Sequence, residues 1–149
     1  MRAVVLCIGL VLAVVIPATG QQGELVSRAV GEQPLSYGTG ALLVAALSGT
    51  ISPDQPPSAE EVIRLLRSLE HRVPEGGGDD SLSYGDFALL MMQVFDLRGN
   101  LRYEAFPSSA SAFAELQSRS LIAPGVYAGT PIPGDVAVDI LSDFLEGSP

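Results

Sequence analysis

The chain has 149 residues, of which 17 are acidic and 8 basic, for a formal net charge of −9; every basic residue is an arginine. That balance repels phosphate backbones and anionic lipid surfaces, so neither nucleic acid nor an acidic membrane is expected as a partner. One cysteine and one histidine leave no disulfide, no zinc set and no nucleophile triad of the usual kind.

Met1-Arg2 is followed by an uncharged run from Ala3 to Ile16, then Pro17-Ala18-Thr19-Gly20 and polar Gln21-Gln22. A charged start, an apolar centre and small residues at 18 and 20 predict a signal peptide spanning 1–20, cut after Gly20. The run is shorter than the roughly 18 residues of a membrane-spanning helix, and an uncleaved anchor is the alternative. Cys7 lies inside this segment and is not placed as a lipoprotein cysteine. All the acids and all but one arginine fall in residues 21–149, which are enough for one domain to bury a core.

Leu25, Val26, Ala29 and Val30 are spaced for a short helix over 23–30. Ser36 is a candidate N-cap for a helix reaching Leu47, apolar nearly all round and therefore buried. Three prolines stiffen the link over 50–57. Ser58 and Glu61 have the capping-box spacing, and Val62, Leu65, Leu66 and Leu69 form one apolar face, predicting a helix over 58–72. Ser83 and Asp86 repeat the capping pair before a second wholly apolar helix over 83–95. The connection 98–108 is expected to carry a short extended piece at Leu101–Tyr103. A helix over 109–121 turns Ala112, Phe113, Leu116 and Leu121 inward, a loop holds Val126 and Tyr127, and a last helix covers 133–145.

Three of these helices open on related phrases: Leu35-Ser36-Tyr37-Gly38, Leu82-Ser83-Tyr84-Gly85 and, more loosely, Ile132-Pro133-Gly134-Asp135. Gly38 to Gly85 is 47 residues and Gly85 to Gly134 is 49. A near-constant period predicts three copies of one helix-pair unit, at about 21–49, 57–99 and 106–147, none able to cover its own apolar face alone. The expected fold is all-α, three helix-pair repeats in a pseudo-threefold bundle forming a single domain over 21–149.

The phrase Leu82-Ser83-Tyr84-Gly85-Asp86-Phe87-Ala88 resembles the Ile-Thr-Arg-Ala-Glu-Phe-Ala phrase that opens the second helix of S-layer homology repeats. Phe106-Pro107, Ala112 to Ile122, Gly125-Val126-Tyr127 and Pro133-Gly134-Asp135-Val136-Ala137 follow that repeat in order. The resemblance covers most of residues 21–149 in degenerate form. It implies a three-repeat spindle around a central three-helix bundle and a role in cell-surface anchoring. In that family the arginine of the phrase helps to bind anionic wall polysaccharide; its counterparts here are Tyr37, Tyr84 and Pro133, so the cations for that ligand are missing.

Glu75 to Asp86 can be laid on a twelve-residue calcium loop, but Gly77 and Asp80 stand at positions three and six, where a ligand and a glycine belong. An acidic linker with a helix cap explains the stretch better. His71, between Glu70 and Arg72 at a helix end, reads as an exposed residue near the negative dipole end. Asp79 and Asp80 lack an enclosing site for acid–base chemistry. Met91 and Met92 read as core. No catalytic residue, metal site or cofactor is expected. Tyr37, Tyr84 and Tyr127 are the candidate binding residues, on the expectation that a threefold arrangement brings them to one groove. The chain reads as an exported, non-catalytic binding or scaffolding module of the periplasm or cell surface, whose partner is a cell-envelope component or a protein. A periplasmic protein–protein adaptor is the alternative. Neither reading involves membrane insertion once the leader is removed.

Overall fold

The structure, a computed structural model, describes residues 19–52 and 54–147. The expected leader lies outside the described residues, apart from Thr19 and Gly20. Serine hydroxyls start four helices by accepting from backbone amides that have no partner inside the helix. Ser36 accepts from Thr39, Ser58 from Glu61, Ser83 from Asp86 and Ser108 from Ser111. The described elements are α1 (Thr19–Gly31), α2 (Tyr37–Leu47), α3 (Ala59–Ser68), α4 (Tyr84–Val94), α5 (Leu101–Ala105), α6 (Ser109–Ser118) and α7 (Gly134–Gly147). Among the described residues there is no strand, only isolated antiparallel bridges at Ser36–Ser81 and Ser83–Pro131. No described helix is long and apolar enough to cross a membrane.

The expected capping box at Ser58 is complete, with Glu61 accepting from the Ser58 amide at 2.8 Å. The pair at Ser83 is one-sided. The Asp86 carboxylate turns away and accepts from the Ser109 hydroxyl at 2.5 Å, tying the start of α4 to the start of α6. The extended piece expected at Leu101–Tyr103 is instead helix α5. The Asn100 side-chain oxygen accepts from the amides of Arg102 and Tyr103, nucleating a turn where β-propensity alone suggests a strand. Tyr103 is buried, and its hydroxyl accepts from Gln93 Nε2 at 2.7 Å.

Helices α2 and α4 form the inside of the molecule. α2 is buried from Tyr37 to Ala46, and α4 from Tyr84 to Met92 except at Asp86. Met91 and Met92 are core residues. α3 lies against α2, α6 against α4, and α1 against α7, with a lesser contact between α1 and α2. Each outer helix therefore rests chiefly on a core helix other than the one that follows it in the chain. α2 also touches α4 and α7, and Phe95 meets Phe144 edge-on at 5.0 Å, joining the end of α4 to α7.

The entries to α2, α4 and α7 are tied in a closed cycle of backbone hydrogen bonds. The Leu35 amide donates to the Ile132 carbonyl at 2.9 Å, Ile132 to Leu82 at 2.8 Å, and Leu82 to Leu35 at 2.8 Å. Two residues on, the Tyr37 amide donates to Asp80, Tyr84 to Thr130 and Gly134 to Glu32. Leu35, Leu82 and Ile132 are all buried, each side chain contributing about 2 kcal/mol of apolar burial.

Two features of this backbone generate stability tests. A Cβ built on Gly134 would stand 1.7 Å from the Ala29 carbonyl oxygen, a backbone atom that cannot swing aside. Gly134→Ala is expected to destabilise by about 3 kcal/mol or more, whereas Gly129→Ala, with nothing within 4 Å, should be close to neutral in urea denaturation. Glu70, Asp96 and Ser120 follow α3, α4 and α6 at φ of 62°, 51° and 60°, each closing its helix in the left-handed conformation that favours glycine. Asp96→Gly should raise stability by roughly 0.5–1 kcal/mol, read as a higher thermal midpoint.

Candidate functional site

Tyr37 opens α2 and points inward. It is 2 % exposed, and its hydroxyl donates to the Pro74 carbonyl at 2.8 Å. Burial pushes its phenol above the ordinary value, against a downward pull from Arg67. Tyr84 opens α4 in the same way and is 8 % exposed. Burial, helped by the charge of Asp135, raises its phenol too. Tyr127 is 79 % exposed on the loop after α6. That loop lies on the first turn of α4, since Ala128 accepts from the Gly85 amide and Thr130 from the Tyr84 amide. Of the three tyrosines, Tyr127 alone presents its ring to solvent, while Tyr37 and Tyr84 pack into the core cluster.

The hydrogen-bond pattern explains why the third phrase lacks a tyrosine. Gly134 sits where Tyr37 and Tyr84 sit in their segments, two residues past Ile132, and α1 presses too closely there to admit any side chain. Pro133 stands at the position of Ser36 and Ser83, and α7 starts without a serine cap.

Glu32 links α1 to α2. Its carboxylate accepts from the Ser36 amide at 2.9 Å, the Ser36 hydroxyl at 2.8 Å and the Thr39 hydroxyl at 2.7 Å, with Arg28 at 3.4 Å. An internal anion thus occupies the start of α2. Burial pushes this carboxyl up, but the bonds from Ser36 and Thr39, with the charge of Arg28, outweigh it and hold the group below its usual value. Other carboxylates are similarly engaged. Glu115, buried, accepts from the Asn100 amide at 3.0 Å and pairs with Arg119 at 3.1 Å, and Arg119 also donates to the Arg98 carbonyl. Asp80 accepts from the Gly77 amide and Glu60 from Gly78, which closes the turn after Pro74. Asp79 is exposed, and His71, expected to be exposed, is half-buried just past α3. Among the described residues no group of three or more His, Cys, Asp or Glu is placed to hold a metal ion.

Two surface features remain. One is an open cleft of about 500 Å³ between α1, α2 and the start of α3. Leu25, Leu42, Ala46, Pro56 and Pro57 give it an apolar lining, and Gln21, Gln22, Glu24 and Arg28 supply polar groups from α1. Among the described residues, no aromatic side chain lines it. The other is a set of exposed apolar side chains around α5 and α6: Leu101, Phe106 at 76 % exposure, and Tyr127. The cleft was not legible in the sequence. Leu42 and Ala46 read as part of an all-round buried helix and are buried, and the cleft they help to line exists only because α1 and the start of α3 come alongside that helix. Phe106 and Tyr127, by contrast, stand out in sequence as aromatics beside proline and glycine.

No protein-family model matches the chain, and neither a curated protein nor a solved structure has significant similarity to it.

The Glu32 cluster sets a pH dependence. A carboxyl whose value falls on folding stabilises the protein above its ordinary value of 4.5, and that contribution disappears as pH drops through the lowered folded value. Glu32→Gln is therefore expected to cost about 1 kcal/mol at pH 7. The gap between the two proteins should close as urea titrations are repeated below pH 4.5. A gap that stays constant with pH would show that the charge on Glu32 contributes nothing.

Proposed function

We propose that this chain is an exported, non-catalytic binding or scaffolding module built from three helix-pair repeats, related in form to S-layer homology repeats and acting at the periplasm or cell surface. The observation that carries this reading is the backbone cycle through Leu35, Leu82 and Ile132, because it joins the same residue of each copy of the phrase. Repeats that share a core in this way leave their outer helices and loops as recognition surface. The non-catalytic reading rests on how the polar groups are used. The best-placed carboxylates are engaged in capping and cross-linking helices.

The ligand surface on this reading includes Phe106 and Tyr127, exposed rings suited to stacking on sugar or partner groups. The positions that answer to the family's arginine are Tyr37 and Tyr84, which are buried, and Gly134, which the hydrogen bonds align with them, so a highly anionic polymer is a poor fit and a neutral wall glycan a better one. One observation favours the adaptor alternative. The cleft beside α2 is apolar and lacks aromatic rings, which suits a protein segment better than a sugar.

Purified protein is expected to be retained on cell-wall fractions at low salt. Tyr127→Ala should weaken retention by roughly 2–10-fold without changing the thermal midpoint. Wild-type protein that is not retained by any wall or envelope fraction would sink the anchoring reading. Crosslinking in cells, with light scattering on the purified chain, would then identify a protein partner or a homo-oligomer.

A further inference from the structure

We infer that Gln21 becomes an N-terminal pyroglutamate in the exported protein. The inference rests on the export reading, in which the leader is cut after Gly20. That cut falls within the first turn of α1 and makes Gln21 the first residue of the shortened helix. Glutamine is the residue whose side-chain amide carbon lies one five-membered ring away from its own α-amine.

The structure leaves this reaction unobstructed. Gln21 is exposed at the mouth of the cleft beside α2, and among the described residues its side chain makes no hydrogen bond. Its amide is therefore not held away from the backbone. The reaction is internal and balanced. The uncharged α-amine attacks the side-chain amide carbon, the new N–C bond closes the lactam, and the old C–N bond breaks to release one ammonia. No oxidant, reductant or second substrate is consumed. An α-amine titrates near 8, so roughly a tenth or more of it is uncharged and nucleophilic at neutral pH.

The product also suits its place better than the reactant does. An ammonium at the start of a helix opposes the positive end of the helix dipole, and the lactam removes that charge. The ring restricts the backbone at the first helical position, where proline is tolerated for the same reason. The rim of the cleft then carries a neutral cyclic amide in place of a cation, and an aminopeptidase has no free amine to engage.

Mass spectrometry of the N-terminal peptide of the exported protein, isolated from the envelope or medium of expressing cells, tests this. The expected peptide begins at residue 21, is one ammonia lighter than its free-glutamine form and resists aminopeptidase. The same peptide from Gln21→Asn, which cannot close a five-membered ring by this route, should keep its full mass as isolated and then lose its first residue on treatment with aminopeptidase. A peptide that begins at a free Gln21 amine overturns the modification and leaves export standing. A chain that begins at any other residue, or keeps residues 1–20, overturns the modification together with the cleavage on which it rests.

Discussion

Leu35, Leu82 and Ile132 each donate one amide to the next and accept one from the last, and the rest of the packing depends on that closed cycle. A backbone amide and carbonyl at the centre of a protein must be paired, because an unpaired one costs more than an ordinary hydrogen bond contributes. Here the pairing satisfies three chain entries at once, with no sheet among the described residues to extend it. It also sets where the helices begin. The residues two beyond each cycle member donate to Asp80, Thr130 and Glu32, so each core helix starts at a set distance from the cycle. Ser36 and Ser83 then cap α2 and α4 from the side.

Around the cycle, α3 lies on α2, α6 on α4 and α1 on α7. The last of these closes the molecule. The carbonyls of Ala29 and Glu32, at the end of α1, lie against the first turn of α7, and Gly134 is the residue that permits it. A chain with a tyrosine there, as the first two phrases have, would push α1 off its seat.

Several carboxylates hold helix starts in this protein. Glu32, Glu61, Asp86 and Glu115 each accept from an amide or hydroxyl at or near a helix N-terminus. What remains at the surface is an apolar cleft beside α2 and exposed rings at Phe106 and Tyr127.

The sequence alone determined the helical class, most helix starts and the depth of α2 and α4, because capping and periodicity are local and the residues that encode them lie within a few positions of one another. Ser58 with Glu61 and the unbroken apolar stretch from Ala41 to Leu47 are examples. It also picked out the repeated phrase, though it matched Gly134 to the glycines of the first two copies, whereas the hydrogen bonds match it to their tyrosines. Only the tertiary structure decided that Tyr37 and Tyr84 are internal, that Tyr103 turns inward from a helix, and that Asp86 reaches Ser109 and not its own cap. Those outcomes depend on which distant segment arrives alongside, and a side chain's fate between core and surface is set by that neighbour and not by its own chain.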